Sequence, residues 1–234
     1  MNKGFLITGT DTGVGKTYVA AGIAAELKKR KSSVGVMKPA ETGCRAVAGR
    51  LVPKDALRLM KAAGARDSLA LVNPCRFRKP LAPSIAAELE GSSVNISAIM
   101  KAFRTLSSRH ELMIVEGAGG ILVPLTGKHT YLDLAGQMGL PVVIVARPGL
   151  GTINHTLLTI AVLKERGMKI AGVVINYAQS QKRGLAEKTG PMVIEKMSGI
   201  PIVEIISYAS RDFGSLADRL MGDPPHLKQG VAFS

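Results

Sequence analysis

The chain has 234 residues, 46% of them hydrophobic, with a formal charge of +14. One domain of this size buries about 70–75% of its unfolded surface, so a core can form without disulfides or structural metal. Two cysteines, Cys44 and Cys75, are too few for a disulfide framework or a four-thiolate zinc site, and the four histidines show no paired-ligand spacing.

The chain opens on MNKGFLITG, which moves from a short polar start into a strand without a signal-peptide pattern. The loop GTDTGVGKT, from Gly9 to Thr17, follows that strand and precedes the helical pattern TYVAAGIAAELKKRK. Free backbone N–H groups and a helix dipole at such a junction attract phosphate. Lys16 can reach β- and γ-phosphates and the Thr17 hydroxyl can ligate Mg²⁺. Five residues separate Gly9 from Gly15, one more than the usual phosphate-loop spacing. Next comes the strand SVGVMK, which carries Lys38 to the same rim, with Pro39 ending the ladder. A lone lysine there reads singly as a surface charge. Asp55, opening the helix KDALRLMKAAG, reads singly as a favourable first-turn acid.

Further along, ISAIMKAFRTLS is helical and LMIVEG is a strand whose end bears Glu116, a natural metal ligand or water orienter, followed by glycines. YLDLAGQMG, INHTLLTIAVLKERG and KTGPMVIEKMSG are helical; PVVIVA, IAGVVIN and IPIVEII are strands. Pro191 suits a first-turn position, and Gly64, Gly139, Gly167 and Gly199 read as helix exits. Apolar strands alternating with helices predict an α/β fold: one phosphate-loop domain in three layers, a mostly parallel sheet flanked by helices, over residues 1–222. The Pro-broken residues 223–234 read as a loose tail. Lys and Arg are scattered and aromatics make up only 4%, so no nucleic-acid partner is expected. No apolar run reaches the ~18–20 residues of a membrane span, and the setting expected is cytoplasmic.

The residues alone stop at a phosphate-loop ligase or NTPase. In combination, GTDTGVGKT, KPAETG, KDAL, VNPCRF with PLAPSIAA, VEGAGGILVPL, GLGTINHTLLT and GVVIN resemble dethiobiotin synthetases, in order and spacing from about residue 4 to 178. That resemblance implies an ATP- and Mg²⁺-dependent ligase that closes a cyclic urea on 7,8-diaminopelargonic acid with CO₂. It implies that Gly13, Val14, Gly15, Lys16 and Thr17 wrap the triphosphate, and that Glu116, Gly117, Ala118 and Gly119 line its far side. Thr17, Asp55 and Glu116 would hold Mg²⁺, Lys38 would act on the carbamate and the migrating phosphoryl group, and Thr42 would touch substrate. Asn176 would bond adenine, and Leu150, Gly151, Thr152, Ile153 and Asn154 would serve substrate across a homodimer interface. Two positions depart from the family: Ile206-Ser207 where Pro often frames the base, and Lys188 where some members have Tyr. Two alternatives remain: a synthetase related to cobalamin-pathway amidotransferases, and a partition or regulatory ATPase. The first needs a glutaminase region for which this length leaves little room; the second commonly has an additional Lys early in its loop, and residues 9–15 contain none.

Overall fold

The computed structural model describes residues 3–180 and 183–222. β1 (Gly4–Gly9) runs through the glycine-rich loop into α1 (Lys16–Lys29) and then β2 (Val34–Met37). A rim excursion follows: β3 (Ala40–Glu41), a hairpin of β4 (Arg45–Val47) and β5 (Arg50–Val52), α2 (Lys54–Ala63), α3 (Leu69–Val72), β6 (Cys75–Arg76) and α4 (Pro83–Leu89). The chain continues through α5 (Ile96–Ser107), β7 (Leu112–Gly120), α6 (Tyr131–Met138), β8 (Val142–Ala146), α7 (Thr152–Glu165) and β9 (Ile170–Asn176). It closes with α8 (Leu185–Ser198), β10 (Ile202–Ile206) and α9 (Gly214–Met221).

Six strands form one parallel sheet in the order β10-β9-β8-β1-β7-β2. Successive strand side chains point to opposite faces, so an apolar strand feeds two cores at once. Phe5 and Ile7 join Val19 and Ile23 of α1, Leu59 of α2 and Leu216 of α9. Leu6, between them, joins Phe103 of α5, Leu134 of α6, Ile160 of α7 and Ile194 of α8. The three-layer expectation therefore holds. β1 lies between β7 and β8, and its connection leaves to the α1 face whereas theirs leave to the opposite face, which opens a crevice at the strands' carboxyl ends, where ligands bind in such sheets. Among the described residues, no helix is long and apolar enough to cross a membrane.

Local chemistry explains several helix boundaries. Asn95 caps α5 by accepting from the Ala98 N–H at 2.8 Å, and Thr130 with Asp133 forms a capping box on α6. Gly64, Gly139, Gly167 and Gly199 all take left-handed φ at helix ends, as their positions suggest.

Three expectations change. Pro191 is not in a first turn: α8 begins at Leu185, so the proline lies inside the helix. The Gly184 N–H donates to Glu187 at 2.9 Å and starts the helix earlier, while Gly190 and Pro191 are buried. Glu116 is not at a strand end, because β7 continues to Gly120 through an irregular register opposite Gly9. The short rim elements β3 to β6, together with α3, α4 and α9, were not foreseen. Residues 223–234 lie outside the described residues, and so does the expected tail.

Candidate active site

The loop after β1 is shaped by glycine. Gly13 and Gly15 hold φ of 78° and 91°, and a Cβ added to Gly15 would collide with the Asn176 amide. The Lys16 ammonium folds back over the loop and donates to the Asp11 carbonyl at 3.1 Å. Burial, assisted by the neighbouring Lys38 charge, brings its pKa down to about 8, against the pull of Glu116, Asp55 and Asp11.

Glu116 is the hub. Its Oε1 accepts from the Thr17 hydroxyl at 2.7 Å and from the Lys38 ammonium at 2.6 Å. Its Oε2 is buried and, among the described residues, has no hydrogen-bond partner. Lys38 is only 3% exposed, which removes the surface-charge reading. Besides Glu116 it pairs with Asp55 Oδ2 at 3.0 Å and donates to the Gly117 carbonyl at 3.2 Å. Its backbone is pinned too: its N–H donates to Val72 O at 2.8 Å, and its carbonyl accepts from the Asn73 side chain at 2.6 Å. Burial opposes the Lys38 charge, but the Glu116 and Asp55 carboxylates outweigh it and hold the pKa above the ordinary lysine value.

These side chains line a cleft of about 580 Å³ that also includes Thr42, Ala118 and Gly119. That volume suits a small-molecule site. A second cavity of about 440 Å³ adjoins it across residues 12–14, lined by Asn176, Leu150 and Arg147 among others. Val14 O accepts from Asn176 Nδ2 at 2.9 Å, which fixes the amide's orientation. Asn176 Oδ1 is buried and, among the described residues, has no hydrogen-bond partner. The Asn176 side-chain amide thus borders the cavity beside the phosphate loop.

Not every expected residue converges. Leu150 borders the second cavity, but Gly151, Thr152, Ile153 and Asn154 border neither. Gly151 and Asn154 are exposed at the start of α7, whereas Thr152 is buried. Lys188 is exposed on α8. Ile206 turns its side chain into the core, and its carbonyl accepts from the Tyr177 N–H at 2.9 Å; Ser207 Oγ accepts from Arg183 at 2.9 Å.

Thr17, Asp55 and Glu116 offer only oxygen, and the orphaned Glu116 Oε2 is a hard, buried acceptor. Among the described residues, no three His, Cys, Asp or Glu side chains form a metal site by themselves. This protein would therefore supply part of a coordination shell. Mg²⁺ ordinarily completes its octahedron with water and substrate phosphates, so these residues fit Mg²⁺ held with a nucleotide.

Two residues escaped the sequence reading. Glu41 is buried, and its carboxylate accepts from the N–H groups of Asp55 at 2.9 Å and Ala56 at 3.0 Å. The available signal was an acid in KPAETG upstream of a helix whose cap residue, Pro53, has no side-chain acceptor. Tyr131 is buried with its hydroxyl 3.4 Å from Ala40 O, and burial raises its pKa. At the opposite end of β2, Ser33 Oγ meets His110 Nδ1 at 3.0 Å and His110 Nε2 meets Asp67 at 2.7 Å. The Ser33 N–H is already bonded to the Glu111 carboxylate at 3.1 Å, so it is not free to stabilise an oxyanion. This chain is a structural tie.

Comparison with known proteins agrees with the geometry. A family model described as an AAA domain matches residues 3–211. The chain is 42% identical over 215 residues to an ATP-dependent dethiobiotin synthetase of Thermodesulfovibrio yellowstonii, covering 89% of this chain and 90% of that one. It is 48% identical over 174 residues to an ATP-dependent dethiobiotin synthetase of Anaeromyxobacter dehalogenans, covering 74% and 76%. Among solved structures, the MinC:MinD cell division protein complex of Aquifex aeolicus superposes with a TM-score of 0.60 at 16% identity, covering 97% of this chain and 98% of that one. That last likeness shows the shared fold alone.

Proposed function

The chain belongs to the ATP-dependent dethiobiotin synthetases, ligases that form a ureido ring at the expense of ATP, and from that premise we propose how its own residues act. The substrate is 7,8-diaminopelargonic acid, the carbon source is CO₂, and the enzyme works with Mg²⁺ as a homodimer in the cytoplasm. The observation that carries this reading is the convergence of Thr17, Lys38 and Asp55 around the buried Glu116 at the foot of the phosphate loop.

The chemistry requires anions to be handled at one rim. One amine adds to CO₂ and loses a proton, giving a carbamate. The carbamate is a poor acylating agent, because closing the urea from it would expel oxide. Attack of its oxygen on the γ-phosphorus breaks the bond to ADP and gives a carbamic–phosphoric anhydride. The second amine then attacks the carbonyl carbon, loses its proton and expels phosphate as the five-membered urea closes. Holding both amines in place contributes up to about 7–11 kcal/mol to such a step.

Residues divide the work by position. Gly13 to Thr17 turn backbone N–H groups toward the triphosphate, and Lys16 leaves the Asp11 carbonyl to meet the β- and γ-phosphates. Lys38, held by Glu116 and Asp55, presents its ammonium where charge gathers on the carbamate and the migrating phosphoryl group. Thr17, Asp55 and Glu116 would hold Mg²⁺, which when bound supplies a charge-neutralising Lewis acid for the phosphates. Ala118, Gly119 and Thr42 border the cleft where phosphate and substrate meet. Asn176 accepts from the adenine amino group through its free Oδ1.

Gly151 to Asn154 border neither the cleft nor the cavity beside the phosphate loop, in keeping with service to a partner's substrate. Leu150 at 89% exposure, with exposed Leu158, Leu185, Met192 and Met197 on α7 and α8, supports a covered apolar face. Cys44 and Cys75 are free thiols, which suits a reducing compartment. Incubation with the diamine, bicarbonate and ATP–Mg²⁺ should yield dethiobiotin, ADP and phosphate in equal amounts; ATP hydrolysis without a urea product would overturn the assignment.

A further inference from the structure

Asp55 reaches the cleft from α2, yet α2 is entered through an exposed excursion. Residues 43–52 leave β3, form the β4–β5 hairpin at the surface and return. Only Pro53 precedes the helix, and it provides no side-chain cap. The first N–H groups of a helix need acceptors, and an entry without one frays. Here the acceptor comes from far upstream: the two oxygens of Glu41 take the N–H groups of Asp55 and Ala56, one each, at 2.9 and 3.0 Å.

Glu41 is itself fixed. β3 pairs with β6 through Ala40–Cys75 and Glu41–Arg76, and the Glu41 carbonyl accepts from the Phe77 N–H at 2.9 Å. The residue is only 5% exposed, where it borders the cleft beside Asp55. The negative charge also faces the positive end of the α2 dipole. We propose that Glu41 is a positioning residue: it grips the first turn of α2 so that the Asp55 carboxylate meets Lys38 and the nucleotide–metal site. The inference rests on the proposed role of Asp55 there.

Removing the grip leaves Asp55 present but free to swing with its turn. Outer partners of this kind are typically worth about 10–100-fold in metal affinity or activity. Glu41→Ala should therefore raise the Mg²⁺ concentration for half-maximal turnover by at least about tenfold, while ATP affinity measured without Mg²⁺ stays within a few-fold. Glu41→Gln keeps one acceptor oxygen and should fall between wild type and Glu41→Ala; it also serves if the alanine variant does not fold. The deciding experiment is a double-mutant cycle with Asp55→Ala on the full chain, read as turnover at fixed Mg²⁺. If Glu41 acts through Asp55, its substitution in the Asp55→Ala background should change turnover less than twofold or so, well short of its effect alone. Losses that multiply would overturn the proposal and place Glu41 on the substrate or in general stability. The Mg²⁺ dependence of Asp55→Ala by itself reports the metal role. No change there would remove Asp55 from the metal site, and the cycle would still decide whether Glu41 acts through it.

Discussion

Replacing Lys38 by Met keeps most of the unbranched side chain and removes its charge. Three contacts vanish from one atom: Glu116 Oε1 at 2.6 Å, Asp55 Oδ2 at 3.0 Å and the Gly117 carbonyl at 3.2 Å. Asp55 is 41% exposed at its side chain and water can compensate it; Glu116, at 1%, cannot be reached. Among the described residues, the buried carboxylate would keep only the Thr17 hydroxyl. Leaving one member of a buried pair alone costs about 3–5 kcal/mol, a large share of the ~5–15 kcal/mol that holds a domain folded. The thermal midpoint should drop clearly. Catalysis suffers separately, because one preorganised donor contributes about 3–4 kcal/mol to a developing anion, or roughly 10²–10³ in kcat. ATP affinity should change only a few-fold, since Lys16 and the loop N–H groups remain. Lys38→Arg should not restore the rate, as a planar guanidinium does not fit the place of a compact ammonium. Steady-state kinetics below the midpoint, ATP calorimetry and thermal unfolding test each part. A kcat within a few-fold of wild type would refute the role given to Lys38, and lost ATP binding with unchanged kcat would make it a binding residue.

Other expectations follow from the same site. Lys16 has a pKa of about 8 against an ordinary 10.5, so the unfolded chain binds more protons between those values and this group's contribution to stability rises with pH across them. ATP favours the protonated form, so affinity should weaken above pH about 8, with proton uptake approaching one per ATP near pH ~9; calorimetry in buffers of different ionisation enthalpy that finds no uptake would contradict this. Asp55→Asn and Glu116→Gln should each raise the half-saturating Mg²⁺ at least about tenfold, and unchanged metal titrations in both would remove them as ligands. Light scattering should give twice the 24.6 kDa chain mass, with Leu158→Asp shifting the protein to monomer and lowering turnover; a fully active monomer would be decisive against the dimer.

Much of the fold was written in local pattern. Strands such as PVVIVA, apolar on both faces, demand cover on both sides, and the alternation of Phe5, Leu6 and Ile7 between two cores meets that demand. The phosphate loop was legible because glycine, lysine and threonine stand at a strand–helix junction. The rim was not. β3 and β6 are two residues each and are held by partners some 35 residues apart, which leaves no period to read. The hairpin did leave a trace: Ala48 and Gly49, both with positive φ, form its two-residue turn. Pro191 misled because a proline marks a helix start on average, whereas here Gly184 and Glu187 begin the helix one turn earlier. Singly, Lys38 and Asp55 read as a surface charge and a first-turn acid. Their roles depend on tertiary proximity to Glu116, which is 78 residues from Lys38 along the chain.

In the proposed reaction ATP activates a carbamate oxygen rather than merely hydrolysing beside the substrate. Turnover with freshly dissolved ¹⁸O-labelled CO₂, the diamine and ATP, sampled before exchange with water, reads this directly by mass spectrometry. The carbamate oxygen that attacks the γ-phosphorus leaves with phosphate when the urea closes, so one labelled oxygen should appear in phosphate for each dethiobiotin formed. Unlabelled phosphate alongside a normal yield of dethiobiotin would contradict the account.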